Sequence, residues 1–128
     1  MVLNTSGKTS EGTPMIYSFS ICNNKLKCNG KDIMTTERFS SNPDQLCIDL
    51  ASYNASIQPI YSSIYNDADS WRFEYDTGEC NHGICNTWLP VFVCDKNVKP
   101  YSIGPVTQEA LDSVVYEVVI NTTYACHQ

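Results

Sequence analysis

Basic charge is what this chain has least of. Eight lysines and arginines stand against fourteen acidic residues in 128, for a formal net charge of −6. Arg38 and Arg72 are the only arginines, and no basic cluster exists. That argues against a nucleic-acid partner, because neutralising phosphates requires a basic face. Charge of either sign is sparse at 17%, below the roughly 25% of an ordinary soluble domain, so a disordered acidic tail is not expected either. No apolar run reaches the roughly 18 residues of a membrane span. No long stretch repeats its apolar residues with a helical period, and neither internal repeats nor low-complexity segments occur. Gly-rich phosphate loops and nucleophile elbows are missing. The two histidines, His82 and His127, have no spaced nucleophile and acid partners. Cys85 near His82 is the one thiol–imidazole pairing available to an enzyme, and it would need a reduced, activated thiol. Catalysis is therefore not expected.

Cysteine, by contrast, is plentiful: seven, at 22, 28, 47, 80, 85, 94 and 126. Such usage points to an oxidising compartment, since the cytosol keeps thiols reduced. Three acceptor sequons, at Asn4, Asn54 and Asn121, agree with a secreted or lumenal origin. Met1 leads into polar residues with no signal peptide. The chain is therefore expected to be an ectodomain, with any membrane attachment in segments outside these residues. Cys94 ends an apolar strand and Cys126 follows the last one, so a bridge between them would staple two core strands, worth roughly 3 to 4 kcal/mol in the chain-entropy model. Cys80 and Cys85 are close enough for a local bridge. Cys28 with Cys47 would clamp the first long loop, leaving Cys22 as the odd thiol. Cys80, His82 and Cys85, with Cys94 or His127, are only half of a structural zinc set. Disulfides are the preferred reading, and neither metal nor cofactor is expected.

One domain is expected from the length. Residues 1–14 are polar and read as a flexible arm, with the folded domain over 15–128. Tyr17, Phe19 and Ile21 alternate with serines, as do Trp71, Phe73 and Tyr75 with Arg72 and Glu74, and Val114 to Ile120 among themselves. These are strand patterns. Leu46–Leu50 and Ser56–Tyr61 read as short strands. Thr87–Cys94 is apolar on both faces, as in a sandwich core. Asn23 to Pro43, with the turn formers Asn29-Gly30 and Asn42-Pro43, reads as loops with a short hairpin, and Gln108–Asp112 as one helical turn. The fold class is all-β: a flattened barrel or sandwich of two antiparallel sheets stapled by disulfides.

Four landmarks occur in order. They are Met15-Ile-Tyr-Ser-Phe-Ser-Ile-Cys22, Phe73-Glu-Tyr-Asp-Thr-Gly-Glu-Cys80, Val91-Phe-Val-Cys94-Asp95, and Tyr116-Glu-Val-Val-Ile-Asn-Thr-Thr-Tyr-Ala-Cys126. Together they resemble the mannose 6-phosphate receptor homology domain, over residues 15–126 and most closely from 73 onward. The resemblance implies a flattened barrel of two sheets and a final disulfide at Cys94 and Cys126. It also implies a bridge from Cys80 to a cysteine at 114, but Val114 stands there, and Cys85 is the natural substitute partner.

Lectins of that family hold mannose with Gln, Arg, Glu and Tyr. The resemblance places the Tyr at Tyr116 and the Glu at Glu109. The Arg position falls on Asn86 and the Gln position on Ile48, so two of the four are not as the lectins have them. Gln58 or Arg72 would have to substitute from elsewhere. Each residue also has a plainer reading: Tyr116 as a core tyrosine, Glu109 as part of a solvated turn, Asn86 as the end of a turn. The implied function is a lumenal or extracellular recognition domain of a sorting or cargo receptor in the Golgi–endosome pathway, binding a protein ligand with its mannose site degenerate. The alternatives are a working mannose-type lectin that takes a glycoprotein glycan, and a structural ectodomain module.

Overall fold

The structure, a computed structural model, describes residues 2–9, 11–44, 46–65, 67–108 and 114–126. Its strands are β1 (Val2–Lys8), β2 (Pro14–Ser20), β3 (Leu26–Cys28), β4 (Lys31–Ile33), β5 (Thr35–Phe39), β6 (Ile48–Ala51), β7 (Ile60–Tyr65), β8 (Ala68–Arg72), β9 (Cys80–Asn81), β10 (Ile84–Cys85), β11 (Thr87–Cys94), β12 (Tyr101–Ile103), β13 (Thr107–Gln108) and β14 (Val115–Thr122). A 3-10 turn spans Thr123–Ala125. The fold is all-β. A small sheet ordered β1-β2-β5-β6 faces a larger one ordered β12-β14-β11-β8-β7, with β13 also on β14.

The alternating side chains of β2 explain the packing. Met15, Tyr17 and Phe19 are buried and meet Trp88, Tyr116, Val118 and Ile120 of the larger sheet in one core cluster. The Phe19 and Trp88 rings lie 5.2 Å apart. The outer face of the small sheet is not bare. Hairpin β3–β4 packs on β2 and β5, turning through Asn29 and Gly30, both at positive φ, and buries Ile33 with the Cys28–Cys47 bridge.

Two glycines let the sheets touch at their long edges. Gly7 of β1 bridges to Val106, where a Cβ would stand 2.6 Å from the Val106 carbonyl oxygen. At the opposite edge the Glu79 amide donates to the Asp49 carbonyl at 2.9 Å. There a Cβ on Gly78 would run into the Leu50 carbonyl and the Asn86 Cβ. Side chains larger than hydrogen would hold these seams apart.

Several sequence expectations are corrected. Residues 1–14 are not a flexible arm: Val2 to Lys8 pair residue by residue with Ser20 to Pro14. Leu3 is buried, while Asn4, Ser6 and Lys8 stay exposed. Outward polar side chains hid the strand, because edge pairing needs few apolar residues. The sheets are not wholly antiparallel either. β14 inserts between β11 and the antiparallel β12, so it runs parallel to β11. Thr35–Phe39, read as loop, is the third strand of the small sheet. The strand expected over Ser56–Tyr61 begins at Ile60, and the one through Tyr75 ends at Arg72. Gln108 is in a strand, and the rest of the expected helical turn lies outside the described residues.

The disulfides join Cys28 to Cys47, Cys80 to Cys85 and Cys94 to Cys126, with Cα separations of 5.6, 3.8 and 4.5 Å. Cys22 is free and exposed. Three bridges in a small all-β domain point to an oxidising, extracellular or lumenal environment. Among the described residues no helix is long and apolar enough to cross a membrane.

Candidate functional site

Strand register explains why polar groups meet inside the sandwich. Tyr17, Glu37 and Ile48 are direct partners across β2, β5 and β6, so they share the inward face. Opposite them, Trp88, Tyr116 and Gln108 are direct partners across β11, β14 and β13. The Tyr17 and Tyr116 rings are 6.3 Å apart. The Tyr17 hydroxyl donates to the Glu37 carboxylate, and the Gln108 amide donates to the Tyr116 hydroxyl at 3.4 Å. Glu37 is only 3% exposed. Desolvation raises its pKa against the lowering effect of the Tyr17 bond. Burial, then the neighbouring Glu37 charge, pushes Tyr116 up to about 12. Burial, then the hydrogen bond to Glu37 and that group's charge, raise Tyr17 well above the usual phenol range.

Of the residues drawn from the resemblance, all but Glu109 lie among the described residues. Tyr116 and Ile48 pack in the one core cluster, so the plainer reading of Tyr116 as a core tyrosine holds. Asn86 sits at the Gly78 seam, its amide donating to the Asp49 carbonyl at 3.1 Å. Its side chain ties two edges together and also lines a hollow of about 580 Å³ with Glu79, Asn81 and Ile84. Glu109 lies outside the described residues. Arg72 pairs with Glu74 at 3.0 Å and is opposite Val91 in register, on the sheet face away from Trp88 and Tyr116. Gln58 is exposed in the loop before β7. A hollow of about 570 Å³ opens beside Gln108, between the β1–β2 turn and Pro105–Gln108. Asn4 and Asn54 are exposed, and Asn121 is half-buried within β14.

A second region has a different character. A trough of three adjoining hollows runs around Phe92, walled by the inner face of the large sheet and by Leu3 and Phe19 of the small sheet. The hollows' volumes are about 200, 270 and 330 Å³. Phe73, Trp71, Ile21, Tyr101 and Tyr124 contribute to the walls, and among the described residues no charged side chain lines any of the three. Tyr124, 84% exposed, stands at the rim. The Trp71 indole donates to the Ala125 carbonyl at 3.3 Å, holding the 3-10 turn against the trough. Aromatic walls without charge suit an apolar, uncharged ligand surface, since a charged group would lose its hydration there without recompense.

Sequence reasoning missed both Glu37 and this trough. Glu37 sits in a Thr-Thr-Glu-Arg-Phe run whose β-branched and aromatic residues were the available signal. The trough's residues were all read as strand or loop, with nothing to say which would stay uncovered. No protein-family model matches the chain, and no curated protein matches it.

Proposed function

We propose that the domain is a lumenal or extracellular recognition module of sorting- or cargo-receptor type, acting in the Golgi–endosome pathway, that takes an apolar segment of a protein ligand in the trough around Phe92. The uncharged aromatic lining of that trough carries the reading. It is a contiguous apolar surface on a chain of net charge −6, and such surfaces mark interaction sites. The resemblance to mannose 6-phosphate receptor homology domains fits a receptor role. The mannose site those lectins use is degenerate here: Ile48 brings no donor, and the Asn86 amide is already engaged by a backbone carbonyl. A pocket built for sugar hydroxyls loses affinity steeply when its partners are missing.

One observation favours a second reading, a glycan-binding site with a rebuilt donor set. Gln108 lines the 570 Å³ hollow and also reaches Tyr116, so an amide and a phenol lie near one opening. Selection from a phage-displayed random peptide library against the oxidised domain tests the first reading. Enriched peptides should be uncharged and aromatic or aliphatic, and Tyr124→Lys should weaken them at least tenfold. A glycan array tests the second. Saturable mannose binding lost in Gln108→Ala, with no peptide enrichment, would overturn the protein-ligand reading.

A further inference from the structure

Three of the four sheet edges are closed or blunted. β1 engages residues 104–106 through the Gly7–Val106 bridge and a hydrogen bond from Thr5 Oγ1 to the Gly104 carbonyl at 2.8 Å. β6 engages Thr77 to Glu79: Glu79 donates to Asp49, and the Ser52 amide donates to Thr77 Oγ1 at 2.9 Å. β12 has three residues, preceded by Lys99 and Pro100. The fourth edge is β7, Ile60–Tyr65, and no described strand pairs with its outer side. Residues 50–66 contain no Asp, Glu, Lys, Arg or His. Ile60 is 45% exposed and Ile64 is 72% exposed. Edge strands are ordinarily guarded by charge, by brevity or by a bulge. Here Pro59 ahead of the strand and a register shift between Ser62 and Tyr65 are the devices present, and neither places a charge on the edge. The shift leaves Ser63 and Ile64 without a paired position on β8.

We propose that β7 is a self-association seam, joining two copies of this chain edge to edge through antiparallel β7 strands. A two-fold axis normal to the sheet reverses strand direction and keeps each face on its own side, so opposed residues sum to an even number. With Ser62 on the axis, Ile60 of each copy lies opposite Ile64 of the other. The most exposed aliphatic side chains of the edge then cover one another twice, and serine meets serine at the centre. The absence of charge over 50–66 singles out a second copy as occupant. In a chain of net charge −6, a like partner is repelled except where the seam itself is neutral. The same axis keeps both Phe92 troughs on one side of a continuous sheet, so a dimer presents two ligand sites together and gains avidity for clustered ligands.

Sedimentation equilibrium over a wide concentration range tests this, in a Cys22→Ser background that removes the exposed thiol as a cross-link. A reversible monomer–dimer equilibrium is expected, and Ile64→Lys should raise the dissociation constant at least tenfold. Ile60→Lys alone should do the same. The double variant Ile60→Lys/Ile64→Asp places opposite charges at each contact and should recover association. Thermal melts of each variant check that folding is intact. A monomer at every concentration, a dimer indifferent to Ile64→Lys, or no recovery in the double variant would overturn the proposal. This readout involves no ligand, so it fails or stands independently of the trough.

Discussion

Glu37 is the group whose charge the fold bears least easily, and replacing it with glutamine isolates that burden. The carboxyl is nearly enclosed between Tyr17 and Tyr116, and burial raises its pKa in the folded state. A carboxyl raised above its unfolded value favours folding fully below the ordinary 4.5. That contribution is lost as pH rises through the raised folded value, because ionisation then occurs in a poorly hydrated place. Glutamine keeps the shape and the acceptor for the Tyr17 hydroxyl but cannot ionise. Each unit of elevation removed is worth about 1.4 kcal/mol at neutral pH. The expectation at pH 7.5 is a gain in stability, read as a rise in melting temperature. At pH 4 the wild-type carboxyl is itself neutral, so the gain should vanish, or reverse slightly if the extra amide N–H finds no acceptor. Differential scanning calorimetry of both proteins from pH 4 to 7.5 reads the difference directly, and ionisations common to the two cancel. A difference of constant size across that range would show that the Glu37 charge costs the fold nothing, and the reasoning from burial would fail.

Three further outcomes follow from the packing. Gly78→Ala should destabilise by about 1–3 kcal/mol, since its methyl meets the Leu50 carbonyl across the edge seam; urea titration checks it, and a neutral result would mean the seam can open. Removing the last bridge with Cys94→Ala/Cys126→Ala should cost about 3–4 kcal/mol in the same assay, whereas Cys22→Ser should change stability by less than about 0.5 kcal/mol, because that thiol is exposed and unbridged. Tyr124→Ser should likewise leave the melting temperature within about 1–2 °C of wild type, since the ring is exposed. A large loss there would mean that the rim of the trough is structural.

What could be read from the sequence was the part that repeats with a period or is chemically distinctive. Thr87–Cys94 is apolar on both faces because it is the inner strand of the larger sheet, and its bounds were legible to the residue. The cysteine pairs were legible because their partners sit at strand ends or across short turns, and all three bridges form as expected. The strand at Val2–Lys8 was not legible, because its fit depends on Gly7 meeting Val106, a contact 99 positions along the chain. Glu37 was illegible for a related reason. Its neighbours Thr35 and Thr36 are buried too, since hairpin β3–β4 covers the outer side of β5, so no face of that strand stays polar to produce a pattern. The trough is the opposite case: its aromatic residues announce a core, yet Trp71, Phe73 and Phe92 stay only half-buried around open hollows. An apolar strand pattern shows which side chains seek burial, but it is silent on whether this chain or a ligand supplies the cover. The positions implied by the resemblance lie elsewhere, with Glu109 outside the described residues. Two of them are occupied by side chains already used by the fold itself, Ile48 in the core and Asn86 at the seam. The surface left unspent is the aromatic face that no motif describes.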